Sequence, residues 1–260
     1  MTSIEPPDFS QVKAAGQRIT GKLHLTPVLT SHLLDEITGA RVFFKSEHLQ
    51  RVGAFKARGA TNAVLKLDEA VADVGVATHS SGNHGAALAM AAAARGIPAH
   101  IVMPSNAPAV KKQAVAGYGG RIVECEPTLA AREATLAKLV EDTGAIEIHP
   151  YNHPDIIAGQ GTAALELLAQ VDDLDVVVVP VGGGGLLAGT ALAVKGSNSR
   201  IEVAAVEPEG ADDAFRSFGL GELQPQTNPQ TIADGLRTSL GELNFSIIRK
   251  QVDTIVTVPD

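Results

Sequence analysis

"VVVVPVGGGGLLAGTALAV", residues 176–194, runs from four valines through four consecutive glycines into an apolar stretch. A short valine run of this kind reads as a strand buried in a parallel sheet, and the apolar stretch behind the glycines is long enough for a helix packed upon it. A strand that feeds a helix through a glycine turn is the building unit of an α/β protein. A sharp turn needs one or two glycines, and each further one costs backbone entropy. Gly182, Gly183, Gly184 and Gly185 together imply that something approaches this backbone closely. A phosphate fits, because consecutive N–H groups at a helix N-terminus form an anion nest. From Gly182 or Gly183 the third glycine of a dinucleotide fingerprint would fall on Leu187 or Ala188, and no Gly-Lys-Ser/Thr follows as in a Walker loop.

The same alternation runs through the chain. "RVFFK" (41–45), "VGVATHS" (74–80), "AHIVMP" (99–104), "GRIVECE" (120–126), "AIEIHP" (145–150), "EVAAVEP" (202–208) and "DTIVTV" (253–258) join 175–181 as strands. Alanine-rich helices such as "NHGAALAMAAAARG" and "TLAAREATLAKLVEDTG" lie between them, each closed by glycine. The strands from 74 to 150 form a compact run of β–α units, after which the rhythm changes to a long helix, "DIIAGQGTAALELLAQV". This predicts a small domain over 70–150 inserted into a larger one built from 1–69 and 151–260. Inside the long helix, "AGQG" (158–161) predicts either a kink or the close approach of a ligand.

Acidic side chains outnumber basic ones 29 to 21, a formal charge of −8, so the overall field repels nucleic acid and anionic membranes. Hydrophobic residues make up 45%, ample for a core, and no run approaches the length of a membrane span. The N-terminus has no apolar core of signal-peptide length, and a cytoplasmic protein is expected. One cysteine, Cys125, rules out an internal disulfide and a cysteine-clustered metal site; in "RIVECEP" it alternates as a strand residue.

Two further stretches carry candidate chemistry. "HSSGNHG" (79–85) sits between a strand and a helix. Any one of Ser80, Ser81 and Asn83 would suffice to cap the helix, whereas their density beside Gly82 and His84 suggests a seat for a small carboxylate. "GAFKARGA" (53–60) sets Lys56 among small neighbours: either a solvated charge at a helix start or an amine kept accessible for covalent chemistry. His24, His32 and His100 lie in strand-like or surface contexts and read as structural. His149 and His153 flank "PYN" without a metal partner at useful spacing.

Lys56 in "GAFKARGA", then "HSSGNHG", then "VGGGG", in this order, resembles the fold-type II pyridoxal-phosphate enzymes, and within them the serine racemase and serine/threonine dehydratase group. "KSEHLQRVGAFKARGA", "IVMPSNAPAVKKQAV", "IAGQGTAALELL", "AVEPEGADDA" and "TIADGLRTSLG" extend the resemblance from about residue 20 to the end. It implies a tryptophan synthase β-like fold, two open parallel-sheet domains with pyridoxal 5'-phosphate in the cleft between them. It also implies a small amino-acid substrate, no nucleic-acid or membrane partner, and a homodimer.

Carried over residue by residue, the resemblance makes Lys56 the residue that forms the Schiff base with the cofactor aldehyde and then takes the substrate Cα proton. Phe55 would lie against the pyridine ring, Asn83 would hydrogen-bond its phenolic oxygen, and Gly182–Gly185 with the N–H of Leu186 would hold the phosphate. Gly235 would line the ring's rim, and "PYN", flanked by His149 and His153, would lie near the cofactor. Ser80, Ser81, Asn83 and His84 would border the substrate carboxylate. Ser81 stands where racemases carry the acid that works opposite the lysine, so elimination from L-serine or L-threonine with some racemisation is expected. Glu207, the carbonyl of Ala211 and Asp213 match positions that hold Mg²⁺, Ca²⁺ or Mn²⁺, although Asp212 and Asp213 could equally open a helix. Arg58 would serve structure.

Members of the family run several tens of residues past "VDTIVTVPD", with a further helix and a Ser-Gly segment that meets the pyridine nitrogen, so weak cofactor binding and low activity are expected of these 260 residues. The alternatives are a 3-hydroxyaspartate dehydratase, a silent cofactor-binding fragment, and a nucleotide-binding protein, the last lacking a ribose-reading acid at the expected spacing.

Overall fold

The computed structural model describes residues 5–260. Its elements run α1 (Phe9–Ile19), β1 (Val28–Thr30), α2 (His32–Thr38), β2 (Phe43–Lys45), α3 (Lys56–Lys66), α4 (Glu69–Ala72), β3 (Val76–His79), α5 (Asn83–Arg95), β4 (Ala99–Pro104), α6 (Ala109–Gly117) and β5 (Arg121–Cys125). They continue with α7 (Leu129–Thr143), β6 (Ile146–Glu147), α8 (Pro154–Gln170), β7 (Val176–Pro180), α9 (Gly185–Ser197), β8 (Glu202–Pro208), α10 (Asp213–Leu220), α11 (Glu242–Gln251) and β9 (Thr254–Val258).

All eight strands expected from the sequence are present, and β1, too short to show alternation, pairs antiparallel with β2. The others form two parallel sheets. One has the order β5-β4-β3-β6, with Thr78 opposite Ile101 and Val76 opposite Ile146; the other has the order β7-β8-β9, with Val178 opposite Ala204 and Ala205 opposite Ile255. The expectation that the valine run is fully buried is corrected: β7 lies at a sheet edge, with Val177 and Val179 buried and Val176 and Val178 exposed on its other face. In the first sheet the chain steps outward from β3 through β4 to β5, then returns to the far side of β3 as β6. The loops that leave β3 and β6 therefore diverge at a topological switch point, where open α/β sheets bind ligands. These loops are Ser80–Gly82 and Ile148–His153.

Each sheet buries its own core. Val64, Leu88, Ile101, Met103 and Ile156 pack around the four-stranded sheet, and Val12, Ile157, Val179, Leu187, Val203 and Ile248 around the three-stranded one. The alanines of α5 let it lie close to β3, β4 and α3, and its residues 84–92 are all buried. Among the described residues no helix is long and apolar enough to cross a membrane.

The expectation for "AGQG" is overturned. α8 is unbroken from Pro154 to Gln170, and its glycines face other helices, not a ligand. A β-carbon on Gly159 would sit 2.6 Å from the Cα of Gly59 in α3, and one on Gly161 would sit 2.5 Å from the carbonyl oxygen of Gly189 in α9. Glycine is needed because α3, α8 and α9 touch backbone to backbone. These contacts join helices whose sequences are far apart, so no local pattern announces them.

Arg58 ties α3 to α8 and to the segment around Glu47 electrostatically. Fully buried, it makes paired bonds to Glu47 (Nε to Oε2, 2.7 Å; Nη2 to Oε1, 2.8 Å) and to Glu166 (Nη1 to Oε1, 2.6 Å; Nη2 to Oε2, 2.8 Å). Lys45 adds a second cation to Glu166 at 2.7 Å.

Candidate active site

α1, α2, α7 and α8 are capped by the side chains of Asp8, Ser31, Thr128 and His153. The helices that carry the three motifs are not: α3 starts behind Phe55, α5 behind Gly82 and α9 behind Gly184, none with a side-chain cap. The first N–H groups of a helix lack intrahelical acceptors, so these ends are free to bind anions. Capping by Ser80, Ser81 or Asn83 is thereby excluded for α5; Ser80 Oγ instead accepts from the N–H of Gly82 at 3.3 Å. Ser81 is half-buried and Asn83 exposed. A cavity of about 300 Å³ opens there, lined by Val52, Gly53, Gly82, Asn83, Lys111 and Tyr118 among others.

The glycine loop has no room for side chains. Gly184 adopts a left-handed φ of +87°, and a β-carbon on it would meet Leu240 Cδ1 at 2.6 Å. One on Gly182 would lie 2.9 Å from the Cα of Leu236 and 3.3 Å from the carbonyl oxygen of Gly235, so the structure brings Gly235 to the glycine loop. Gly185 is buried and Leu186 half-buried at the head of α9.

Lys56, the first residue of α3, donates from Nζ to the carbonyl oxygen of Pro150 at 2.9 Å, and its Nζ lies 5.3 Å from the centre of the Phe55 ring. Burial away from water lowers its pKa from 10.5 to about 8. Among the described residues no carboxylate is ion-paired with this amine. A lysine with that pKa is partly free base near neutral pH and can act as a nucleophile or base.

The segment from Ile148 to Asn152 touches all three motifs. His84 Nε2 bonds the carbonyl oxygen of Ile148 at 3.2 Å, which makes Nε2 the protonated nitrogen and leaves the buried Nδ1 without a partner. The His149 ring meets His79 edge-on at 5.9 Å and Tyr151 at 4.6 Å. Tyr151 lies over Gly183 and Gly185, and Asn244 Nδ2 bonds the carbonyl oxygens of both Gly183 (2.5 Å) and Tyr151 (3.2 Å). Burial, with the nearby Lys56 charge second, holds His84 well below the usual histidine range. Burial, then His79 and Lys56, lower His149 to about 4. Both imidazoles are neutral at pH 7, so they do not compete with Lys56 for an anion.

Glu207 is the penultimate residue of β8 and Asp213 opens α10, and both are fully buried. Glu207 accepts from the N–H groups of Ala214 (3.2 Å) and Phe215 (2.9 Å), and Asp213 Oδ2 from that of Leu240 (2.7 Å). Asp213 Oδ1 is buried without a partner. Burial, reinforced by neighbouring carboxylates, pushes Glu207 up to about 8 and Asp213 up to about 6. An orphaned carboxylate oxygen beside a second buried carboxylate and the buried Ala211 fits a hard divalent cation. Among the described residues no three His, Cys, Asp or Glu side chains cluster for a metal, so backbone oxygen or water would have to complete the shell.

With these features in place, the comparisons with known proteins converge. Residues 19–260 match the family described as "Pyridoxal-phosphate dependent enzyme". The chain belongs to this family. It is 50% identical to the beta-hydroxyaspartate dehydratase of Paracoccus denitrificans over 98% of this chain and 81% of that one. The structure of maize serine racemase superposes with a TM-score of 0.96 at 46% identity, covering 98% of this chain and 77% of the other. The serine racemase of Dictyostelium discoideum superposes with a TM-score of 0.94 at 46% identity, covering 97% and 81%, and a solved threonine deaminase with a TM-score of 0.92 at 46% identity, covering 97% and 82%. The α/β fold is thus that of the serine racemase and threonine deaminase type of pyridoxal-phosphate enzyme, and pyridoxal phosphate is the cofactor of the family. The free N–H groups of α9 and the amine of Lys56 suit its phosphate and aldehyde.

The resemblance already points to "PYN" as a segment near the cofactor; what the sequence does not show is that the Ile148–Asn152 turn contacts all three motifs. Lys111, whose side chain lies over Gly82 and pairs with Asp234 beside Gly235, and Asn244 have no local signal at all.

Proposed function

We propose that this protein is a pyridoxal-phosphate-dependent ammonia-lyase for small 3-hydroxy amino acids, with racemase activity on the same substrates. The observation that carries this reading is the Lys56 amine, free of any carboxylate partner among the described residues and with a pKa near 8, bonded to the 148–152 turn that also contacts His84 in α5 and Gly183 ahead of α9, two helices with uncapped ends. When bound, the cofactor supplies an electron sink that makes the substrate Cα proton acidic. The N–H groups of Gly182–Gly185 and Leu186 would hold its phosphate, Phe55 and Gly235 would flank its ring, and Asn83 would donate to its phenolic oxygen. Ser80, Ser81, Asn83 and His84 seat the substrate carboxylate against the N-terminus of α5.

Lys56 Nζ takes the Cα proton from one face. In elimination the β-hydroxyl departs as water with the proton that Lys56 took from Cα, and hydrolysis of the remaining fragment gives the 2-oxo acid and ammonia. In racemisation Ser81 Oγ returns a proton to the opposite face. Glu207, Asp213 and the carbonyl of Ala211 hold a divalent cation that supports the large domain. Residues 1–69 with 151–260, and 70–150, act as the two bodies that enclose the substrate, and the protein works as a cytoplasmic homodimer. The β-hydroxyaspartate dehydratase likeness supports 3-hydroxyaspartate as one substrate alongside L-serine and L-threonine.

The test offers each of the three amino acids to cofactor-loaded protein and measures 2-oxo acid and D-isomer together. Ser81→Ala is expected to abolish D-isomer formation while elimination from the L-substrate persists. Equal loss of both activities would refute the two-residue assignment.

A further inference from the structure

The strongest unexplained arrangement at the site is a side-chain-capped turn. His149 follows β6, and its Nδ1 accepts from two backbone N–H groups, that of Tyr151 at 3.3 Å and that of Asn152 at 2.9 Å. Both backbone groups can only donate, so Nδ1 is the bare nitrogen and Nε2 carries the proton. The ring thus does what Asn or Ser does in an Asx or ST turn, binding the backbone two and three residues ahead. Pro150, between them, has no N–H to contribute and a fixed φ. With the backbone donors of the turn drawn toward the imidazole, the Pro150 carbonyl is left to accept from Lys56 Nζ.

The rest of the turn is pinned to the glycine side. Asn152 Oδ1 accepts from the N–H of Leu243 at 2.9 Å near the start of α11, while the carbonyl oxygen of Tyr151 accepts from Asn244. The ring of His149 also packs on His79, the residue leading into the Ser80–Asn83 loop. One turn therefore fixes, through successive residues, the amine, the carboxylate loop and the glycine loop relative to one another. The depressed pKa of His149, about 4, keeps Nδ1 an acceptor throughout the neutral range.

We propose that His149 is a positioning residue: by capping the 149–152 turn it presents the Pro150 carbonyl that docks the Lys56 amine before the cofactor arrives. This rests on Lys56 being the amine that bonds the cofactor. It adds a role for a histidine that contacts the lysine only through the backbone it holds. Without the cap, the Pro150 carbonyl turns and Lys56 samples rotamers that do not face the entering aldehyde.

The experiment mixes cofactor-free protein with pyridoxal phosphate and follows the visible absorbance that accompanies its bond to Lys56. His149→Leu, of similar bulk but with no acceptor, is expected to slow the second-order association about tenfold, the scale of a lost cap. His149→Asn, whose side-chain oxygen can cap the same turn, is expected to recover most of the wild-type rate. Association of His149→Leu at the wild-type rate, or a His149→Asn variant as slow as His149→Leu, would overturn the proposal. If Lys56→Ala retains the absorbance, the parent assignment fails instead, and the two failures are distinct. Should His149→Leu not fold, nitrogen NMR of the wild-type protein decides. Coupling between His149 Nδ1 and the Asn152 amide, with Nε2 protonated, supports the cap, and a proton on Nδ1 overturns it.

Discussion

The ring of Tyr151 occupies the space into which a side chain on Gly183 would project. Gly183→Ala would drive its methyl group into that ring, and overpacking of this kind costs about 1–3 kcal/mol. Cofactor affinity should fall with it, because the tyrosine or the loop must move. Gly235→Ala makes the contrast: nothing lies within 4 Å of its β-carbon position. Its unfolding midpoint is expected to match wild type. Denaturant unfolding of both variants checks the pair, with cofactor titration of Gly183→Ala beside it, and equal unfolding midpoints would contradict the geometry.

Arg58→Met should be among the most destabilising single changes in the chain. It removes the cation shared by Glu47 and Glu166, side chains only 15% and 24% exposed, leaving Glu166 with Lys45 alone and Glu47 without its cation. Breaking a buried network from one side costs about 3–5 kcal/mol. Chemical denaturation measures it, and a loss below about 1 kcal/mol would show that water compensates the carboxylates.

The Glu207–Asp213 pair sets a pH dependence of stability. Glu207 has its folded pKa raised from 4.5 to about 8, so the fold favours its protonated form. Asp213 is raised from 3.8 to about 6 in the same direction. Without a cation, their stabilising contribution is complete below about pH 4 and is lost as pH rises toward 8. Millimolar Mg²⁺, Ca²⁺ or Mn²⁺ should reverse that loss. A cation at a hundredfold its Kd contributes about 2.7 kcal/mol, and each kcal/mol moves Tm by roughly 2–4 °C in a chain of this size. Thermal melts at pH 5 and pH 8, with chelator or cation, provide the check. Glu207→Gln should melt with less dependence on pH and no response to cation.

Much of this site was legible in the sequence because its chemistry is local. The glycines 182–185, the "SSGNH" loop and Lys56 each sit at one strand-to-helix or loop-to-helix junction, where a short motif suffices to mark a free helix end. What stayed hidden depends on distant partners. "AGQG" reads as a weak point in α8 because the backbones it packs against, at Gly59 and Gly189, belong to other helices. The His149 cap is a single side chain bonding its own backbone, and its importance comes from what Pro150 and Tyr151 touch elsewhere. Glu207 and Asp213 are visible as acids, but only burial tells that one carboxylate oxygen lacks a partner.

The acidity of Lys56 can be read without substrate. Only the free amine attacks an aldehyde, and burial brings its pKa from 10.5 to about 8. Association of pyridoxal phosphate should therefore quicken about tenfold per pH unit below 8 and level off above it. A rate still climbing at pH 10 would mean that the amine keeps the pKa of a solvated lysine.

The proposed chemistry turns on Lys56 being the amine that carries the cofactor. Adding pyridoxal phosphate, reducing with borohydride and sequencing the labelled peptide identifies that amine. One pyridoxyl group is expected, on Lys56, and none on the Lys56→Ala variant. Label on another lysine, or on the Lys56→Ala protein to the same extent, would contradict it.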